Sequence, residues 1–160
     1  MKKILTAGVL LGLIVAVWDF IYGFAGLYKS MVGALLFIVV AILIQVGVLI
    51  WGLKQTVKDG RRYWGQVGAG VLICLIGGIL IIFASFAFTA TFPDVFDVTA
   101  EMQADGWSQR GMSDDEIDAM LERTAATRTP WYQALMGFVG NMITGFIISL
   151  IAAAAIRVKD

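Results

Sequence analysis

The sequence predicts an all-α fold, an integral membrane four-helix bundle with both termini cytoplasmic. Three observations carry this. Hydrophobic residues make up 59% of the 160-residue chain and charged residues only 15%, against about 25% charged in soluble domains. Four apolar stretches reach the roughly 20 residues that a helix needs to cross a bilayer. The basic residues gather at one side of those stretches, as the positive-inside rule requires of an oriented membrane protein.

The whole chain reads as a single membrane domain, residues 1–160. Spans are expected at about 4–27, 31–53, 63–88 and 131–156, with an acidic loop at 93–130. The first two are joined by a tight turn around "YKS" and form an antiparallel hairpin. The second and third are joined by "KQTVKDGRR". Lys2, Lys3, Lys54, Lys58, Arg61, Arg62, Arg157 and Lys159 share one side, which is assigned to the cytoplasm. Tyr63 and Trp64 at one boundary, and Tyr28, Trp131 and Tyr132 at the other, suit interfacial aromatic belts. The alternative, that "MKKILTAGVLLGLIVAV" is a signal peptide cut after Ala25, leaves the other orientations unchanged. The first span is long for such a segment and reads as retained.

The net charge of zero hides a polarised distribution. Residues 93–130 hold nine acids and three bases, and the rest of the chain the reverse bias. Within that loop Ser113 and Glu116 form the spacing of a capping box. Asp114 and Asp115 suit a first turn, and Ile117, Met120 and Leu121 share a face. A short amphipathic helix is predicted over Asp114–Thr124, resting on the outer lipid surface or capping the bundle. A preceding helix begins at Pro93, turns Val95, Phe96 and Met102 inward, and ends near Gly106.

Several chemistries are disfavoured. There is no His and a single Cys, so neither an internal disulfide nor a His- or Cys-rich metal site is available. Cys74, in "VLICLIGG", reads as a small packing residue. "SDDEIDAMLE" lacks the alternating oxygen ligands and turn glycine of an EF-hand loop. No Ser has a plausible base and no acids pair inside the spans, so an enzyme is not expected, and neither a cofactor nor a nucleic-acid partner is implied.

The polar residues within the spans are the candidate site. Asp19 interrupts the apolar "IVAVWDFIYG". A carboxylate at the bilayer centre costs roughly 2.5–3.5 kcal/mol on insertion scales, so it must face protein or water. It shares a helical face with Gly8, Gly12, Ala16, Gly23 and Gly26. A matching stripe on the fourth span contains Gly137, Asn141, Gly145 and Ser149. Asn141 is the expected hydrogen-bond partner of Asp19, with Ser85 and Thr89 as further donors. Gln45 lies deeper and is a weaker partner. Gly8, Gly12, Gly137 and Gly145 are expected helix-packing positions, where small residues let backbones approach.

The order of features resembles a known family. A Gly-rich first span and a tight turn precede the second span. Then come Lys58-Asp59-Gly60, Tyr63-Trp64-Gly65-Gln66 and Gly70 opening the third. An outer Pro93, an acidic helical insertion and a Gly-rich last span follow. This layout is similar to that of the DUF4199 family of small bacterial membrane proteins, over essentially the whole chain. The resemblance implies a four-span protein of the bacterial inner membrane. The family has no settled activity and no catalytic residues to carry over.

Two functions follow as expectations. The first is a non-enzymatic structural or accessory subunit, in the lipid bilayer with another membrane protein or a second copy of itself as partner. It draws on the small-residue stripes, and loses its main support if both are consumed within one bundle. The second is a small proton- or cation-coupled transporter using Asp19. Small multidrug resistance transporters use a comparable lone acid in the first of four spans, though this chain has a stronger charge bias and a longer loop.

Overall fold

The computed structural model describes residues 1–156, so Arg157 and Lys159 lie outside the described residues. Six helices follow one another: α1 (Lys2–Phe24), α2 (Met31–Val57), α3 (Tyr63–Thr91), α4 (Val95–Ser108), α5 (Asp114–Thr124) and α6 (Pro130–Ile156). Of these, α1, α2, α3 and α6 are long and apolar enough to cross a membrane. The described chain is an all-α membrane bundle.

Helices cover the four expected stretches, with shifts at their ends. α1 stops at Phe24, three residues early, because Gly26 takes a left-handed φ of 66° and a 3-10 turn over Leu27–Lys29 follows. Ser30 then caps α2, its hydroxyl accepting from the Gly33 amide at 3.0 Å. α2 continues to Val57, four residues beyond expectation. It ends before Gly60, whose φ of 72° turns the chain into α3. α6 starts on Pro130, in the first turn where a missing N–H costs nothing.

Long-range contacts fix the topology. Lys3 pairs with Asp59 at 2.6 Å, and the Tyr63 hydroxyl donates to the Leu150 carbonyl at 3.3 Å. The start of α1, the end of α2, the start of α3 and the end of α6 therefore share one end of the bundle, the basic end. The turn after α1 and helices α4 and α5 lie at the other, the loop end. The Lys3 ammonium, hydrogen-bonded to Asp59, holds that carboxyl below its ordinary value.

α3 is the hub, packed most extensively on α1 and α6. The close contact depends on glycine. A Cβ on Gly8 would stand 2.6 Å from Ile76 Cβ, and one on Gly12 would stand 2.5 Å from Leu80 Cβ. The densest core, including Ile4, Leu11, Leu49, Leu53 and Ile73, lies in the basic half of the bundle. A smaller apolar cluster of Tyr28, Phe88 and Val95, with Tyr22 and Phe92 around it, sits at the loop end. Residues of both clusters, among them Val15, Ile81, Phe88 and Val95, line the candidate site.

α5 spans the predicted residues and carries the complete capping box. The Ser113 amide donates to Glu116 Oε2 at 2.9 Å, and the Glu116 amide donates to Ser113 Oγ at 3.4 Å. Its main helix contact is α4, with Ile117 buried, so it rests on its neighbour in the loop. Ser113→Ala is expected to cost about 1 kcal/mol of local stability. Hydrogen exchange should show faster exchange in α5 and no change in α3.

Candidate ligand-binding cavity

α2 and α6 both run from the loop end towards the basic end, and they meet at Gln45, Asn141 and Thr144. Gln45 is buried. Its Nε2 donates to Asn141 Oδ1 at 2.9 Å and to the Asn141 carbonyl at 2.7 Å. The Thr144 hydroxyl donates to Gln45 Oε1 at 2.6 Å, and Asn141 Nδ2 donates to the Cys74 carbonyl at 2.8 Å. This network ties α2, α3 and α6 at mid-bundle. Gly145 makes room for it, since a Cβ there would strike Cys74 Sγ and stand 2.8 Å from Gln45 Nε2. Cys74 is buried within the core, as a packing residue would be.

From this polar floor to the loop end there is a cavity of about 710 Å³. Asp19 and Tyr22 of α1, Phe37 of α2, and Ser85 and Phe88 of α3 contribute to its wall. Tyr22 and Phe37 pack with ring centroids 4.8 Å apart, and the Trp18 indole donates to the Phe37 carbonyl at 3.4 Å. These contacts hold the aromatic wall beside the acid.

Asp19 is the unusual group. The ion pairs among the described residues are Lys3–Asp59 and Lys29–Asp94, and Asp19 has neither an ion pair nor a side-chain hydrogen bond with any described residue. The expected bond to Asn141 is not formed. Depth explains this. Asp19 lies five residues from the end of α1, and Asn141 eleven residues into α6. At 1.5 Å per residue they differ by about 9 Å in distance from the loop end. Gln45 and Thr144 each stand fourteen residues into their helices, so their depths match and Asn141 joins them. Gln45 is thus the partner that Asn141 takes. Ser85 is buried in the cavity wall with no side-chain hydrogen bond to a described residue, while Thr89 bonds back to the Phe86 carbonyl of its own helix.

The glycines divide in the same way. Gly8 and Gly12 meet α3, and Gly145 meets Cys74 and Gln45. A Cβ on Gly137 would reach only ordinary contact, 3.7 Å from Ile81, so Gly137 lines the cavity rather than closing a tight interface.

α4 roofs the cavity with Phe96, Met102 and Gln103. Gln103 Oε1 is buried and has no hydrogen-bond partner among the described residues. Arg128 also reaches the cavity, but its guanidinium is held by Thr124 Oγ1 at 2.9 Å and by the Leu121 carbonyl at 2.7 Å. The roof is latched to the α1–α2 turn. The buried Tyr28 donates its hydroxyl to both Asp94 carboxylate oxygens at 2.9 and 3.0 Å, and Lys29 approaches Asp94 at 3.4 Å. The Tyr28 hydrogen bond, and then Lys29, hold the Asp94 carboxyl below its ordinary value of 3.8.

A folded-state value depressed in this way stabilises the latch above pH 3.8, and the contribution disappears as pH falls through the lowered value. Tyr28→Phe is expected to loosen α4 at neutral pH. Acidification to below that range should loosen the wild type to the same extent. Hydrogen exchange of α4, corrected for intrinsic rates, checks both.

The cavity, Gln103 and the latch were not legible in the sequence. Tyr28 and Asp94 are 66 residues apart, and nothing local pairs them. The one usable signal was the lone acid on a small-residue face.

No curated protein and no solved structure matches the chain. The model of a family described as a protein of unknown function, DUF4199, matches residues 6–158. With nearly its whole length covered and four helices able to span a membrane, the chain belongs to the DUF4199 family.

Proposed function

We propose that this integral membrane protein is a non-enzymatic binder of a small organic cation, held in the loop-end cavity with Asp19 as its counter-ion. It belongs to the transport class that its lone intramembrane acid suggests. The single observation behind the reading is that Asp19 faces a cavity of about 710 Å³ with neither an ion pair nor a hydrogen bond from a described residue. An intramembrane carboxylate is costly and marks an ion or substrate path when it faces a cavity. The volume suits a small molecule, since ligand pockets occupy about 300–1,000 Å³. The wall offers a metal ion one charged ligand, Asp19, and no imidazole or thiol.

The accessory-subunit reading has less support. The small-residue stripes that motivated a protein partner are largely turned inward, Gly8 and Gly12 on α3 and Gly145 on the polar floor. The charge distribution supports a cytoplasmic basic end, with α4 and α5 on the outer side. The family resemblance supports the bacterial inner membrane as its location.

Calorimetric titration of the protein in lipid nanodiscs with benzylammonium and with dodecylammonium tests the reading. At least one is expected to bind saturably, and Asp19→Asn should weaken that binding about tenfold or more. Equal binding by wild type and Asp19→Asn, or no saturable binding of either cation, would overturn it.

A further inference from the structure

We infer that the cavity takes an amphiphile resident in the membrane, a primary ammonium on an apolar chain, whose tail leaves sideways between α2 and α6 into the lipid. The inference rests on the cation-binding reading above and adds the ligand's shape and route.

The cavity wall includes residues that also form the membrane-facing surface of the spans. Ile38 and Ile42 of α2 are 53% and 40% exposed, and Met136 of α6 is 43% exposed. Gly140, one turn from Met136, is exposed and lines the cavity, and a Cβ added there would meet nothing within 4 Å. These positions lie well inside α2 and α6, so the opening they border faces acyl chains.

The floor, roof and back wall carry named side chains. Gln45, Asn141 and Thr144 form the floor. α4 forms the roof, held by the Tyr28–Asp94 latch. Asp19 sits on α1, part of the back wall. A ligand placed here has its charged end inside, against the unpaired carboxylate, and its apolar end at the gap. A primary ammonium supplies both the charge and the N–H donors that Asp19 lacks. An apolar tail fits a gap bordered by Ile38, Ile42 and Met136.

The same chemistry can come from a free long-chain amine or from a lipid with an ammonium headgroup. Dodecylammonium and benzylammonium are therefore titrated into wild type, Gly140→Leu and Ile42→Trp in phosphatidylcholine nanodiscs, with thermal melting to verify folding. Gly140→Leu adds a side chain to open space, and Ile42→Trp narrows the gap from the opposite helix. Both are expected to weaken dodecylammonium binding at least about fivefold more than that of benzylammonium, which fits wholly inside.

Equal effects on the two cations, or no effect on either, would overturn the lateral route. Asp19-dependent binding of benzylammonium without any of dodecylammonium would also overturn it and leave the cation site standing. Loss of Asp19 dependence for both would remove the two readings together. Repeating the titration in nanodiscs containing phosphatidylethanolamine identifies the source. Competition by that lipid points to its headgroup, and unchanged dodecylammonium affinity to a free amine. Either result upholds the shared chemistry.

Discussion

Gly12→Leu is expected to separate α1 from α3 and to cost about 3 kcal/mol or more of bundle stability, at the upper end of overpacking penalties. A Cβ at this position stands 2.5 Å from Leu80 Cβ and 2.9 Å from the Gly77 carbonyl oxygen. Neither obstacle can turn aside, because one is the root of a side chain and the other is backbone. Gly77 faces the same seam from α3, where a Cβ would lie 3.1 Å from the Gly8 carbonyl oxygen. The two helices are therefore in contact at backbone distance over about a turn on each side, and only a rigid-body shift admits a larger residue. That shift also pulls Leu11, fully buried, from the core. The control is Gly47→Leu on α2, where the added Cβ meets nothing within 4 Å on an exposed surface. It should change stability by about 0.5 kcal/mol or less. Steric-trap unfolding in bicelles measures both, and a Gly12→Leu value near that of the control would contradict the glycine seam.

The seam shows which features a single sequence makes legible. Gly8 and Gly12 lie one turn apart, so their common face follows from helical geometry alone. The same holds for the capping box at Ser113 and Glu116 and for four apolar runs of spanning length. These are local regularities, written within a few residues of one another. Partner choice between helices is different, because it depends on depth and rotation. The end of α1 comes three residues earlier than expected, which places Asp19 about 4.5 Å nearer the loop end. That carries it away from Asn141, while Gln45, in an α2 whose first residue is as expected, lies only three residues deeper than Asn141. The cavity is less legible still. It is the volume left where α2 and α6 do not pack, and no residue encodes it.

Gln45→Leu tests that depth argument directly. Leucine is close in volume to glutamine, so the change removes polarity and leaves no large void. It strips Asn141 Oδ1 of its donor and Gln45's own contact with the Asn141 carbonyl, while Thr144 keeps a second acceptor in the Gly140 carbonyl at 2.7 Å. Interhelical hydrogen bonds in membranes are worth about 0.6 kcal/mol on average and about 1–2 kcal/mol at most. Losing two at a buried junction of three helices should cost about 2 kcal/mol. The sharper measurement is a pair of double-mutant cycles by steric trapping. Gln45→Leu with Asn141→Leu should show a coupling of about 1 kcal/mol, because the two side chains share a bond. Asp19→Asn with Asn141→Leu should be additive within about 0.5 kcal/mol, since no bond joins them. Coupling in the second cycle and not in the first would reverse the assignment. Asn141 would then hold the acid, and the cavity would lose its unpaired charge and with it the counter-ion of a bound cation. Coupling in the first alone leaves Asp19 free to face a ligand, with a rigid polar floor beneath it.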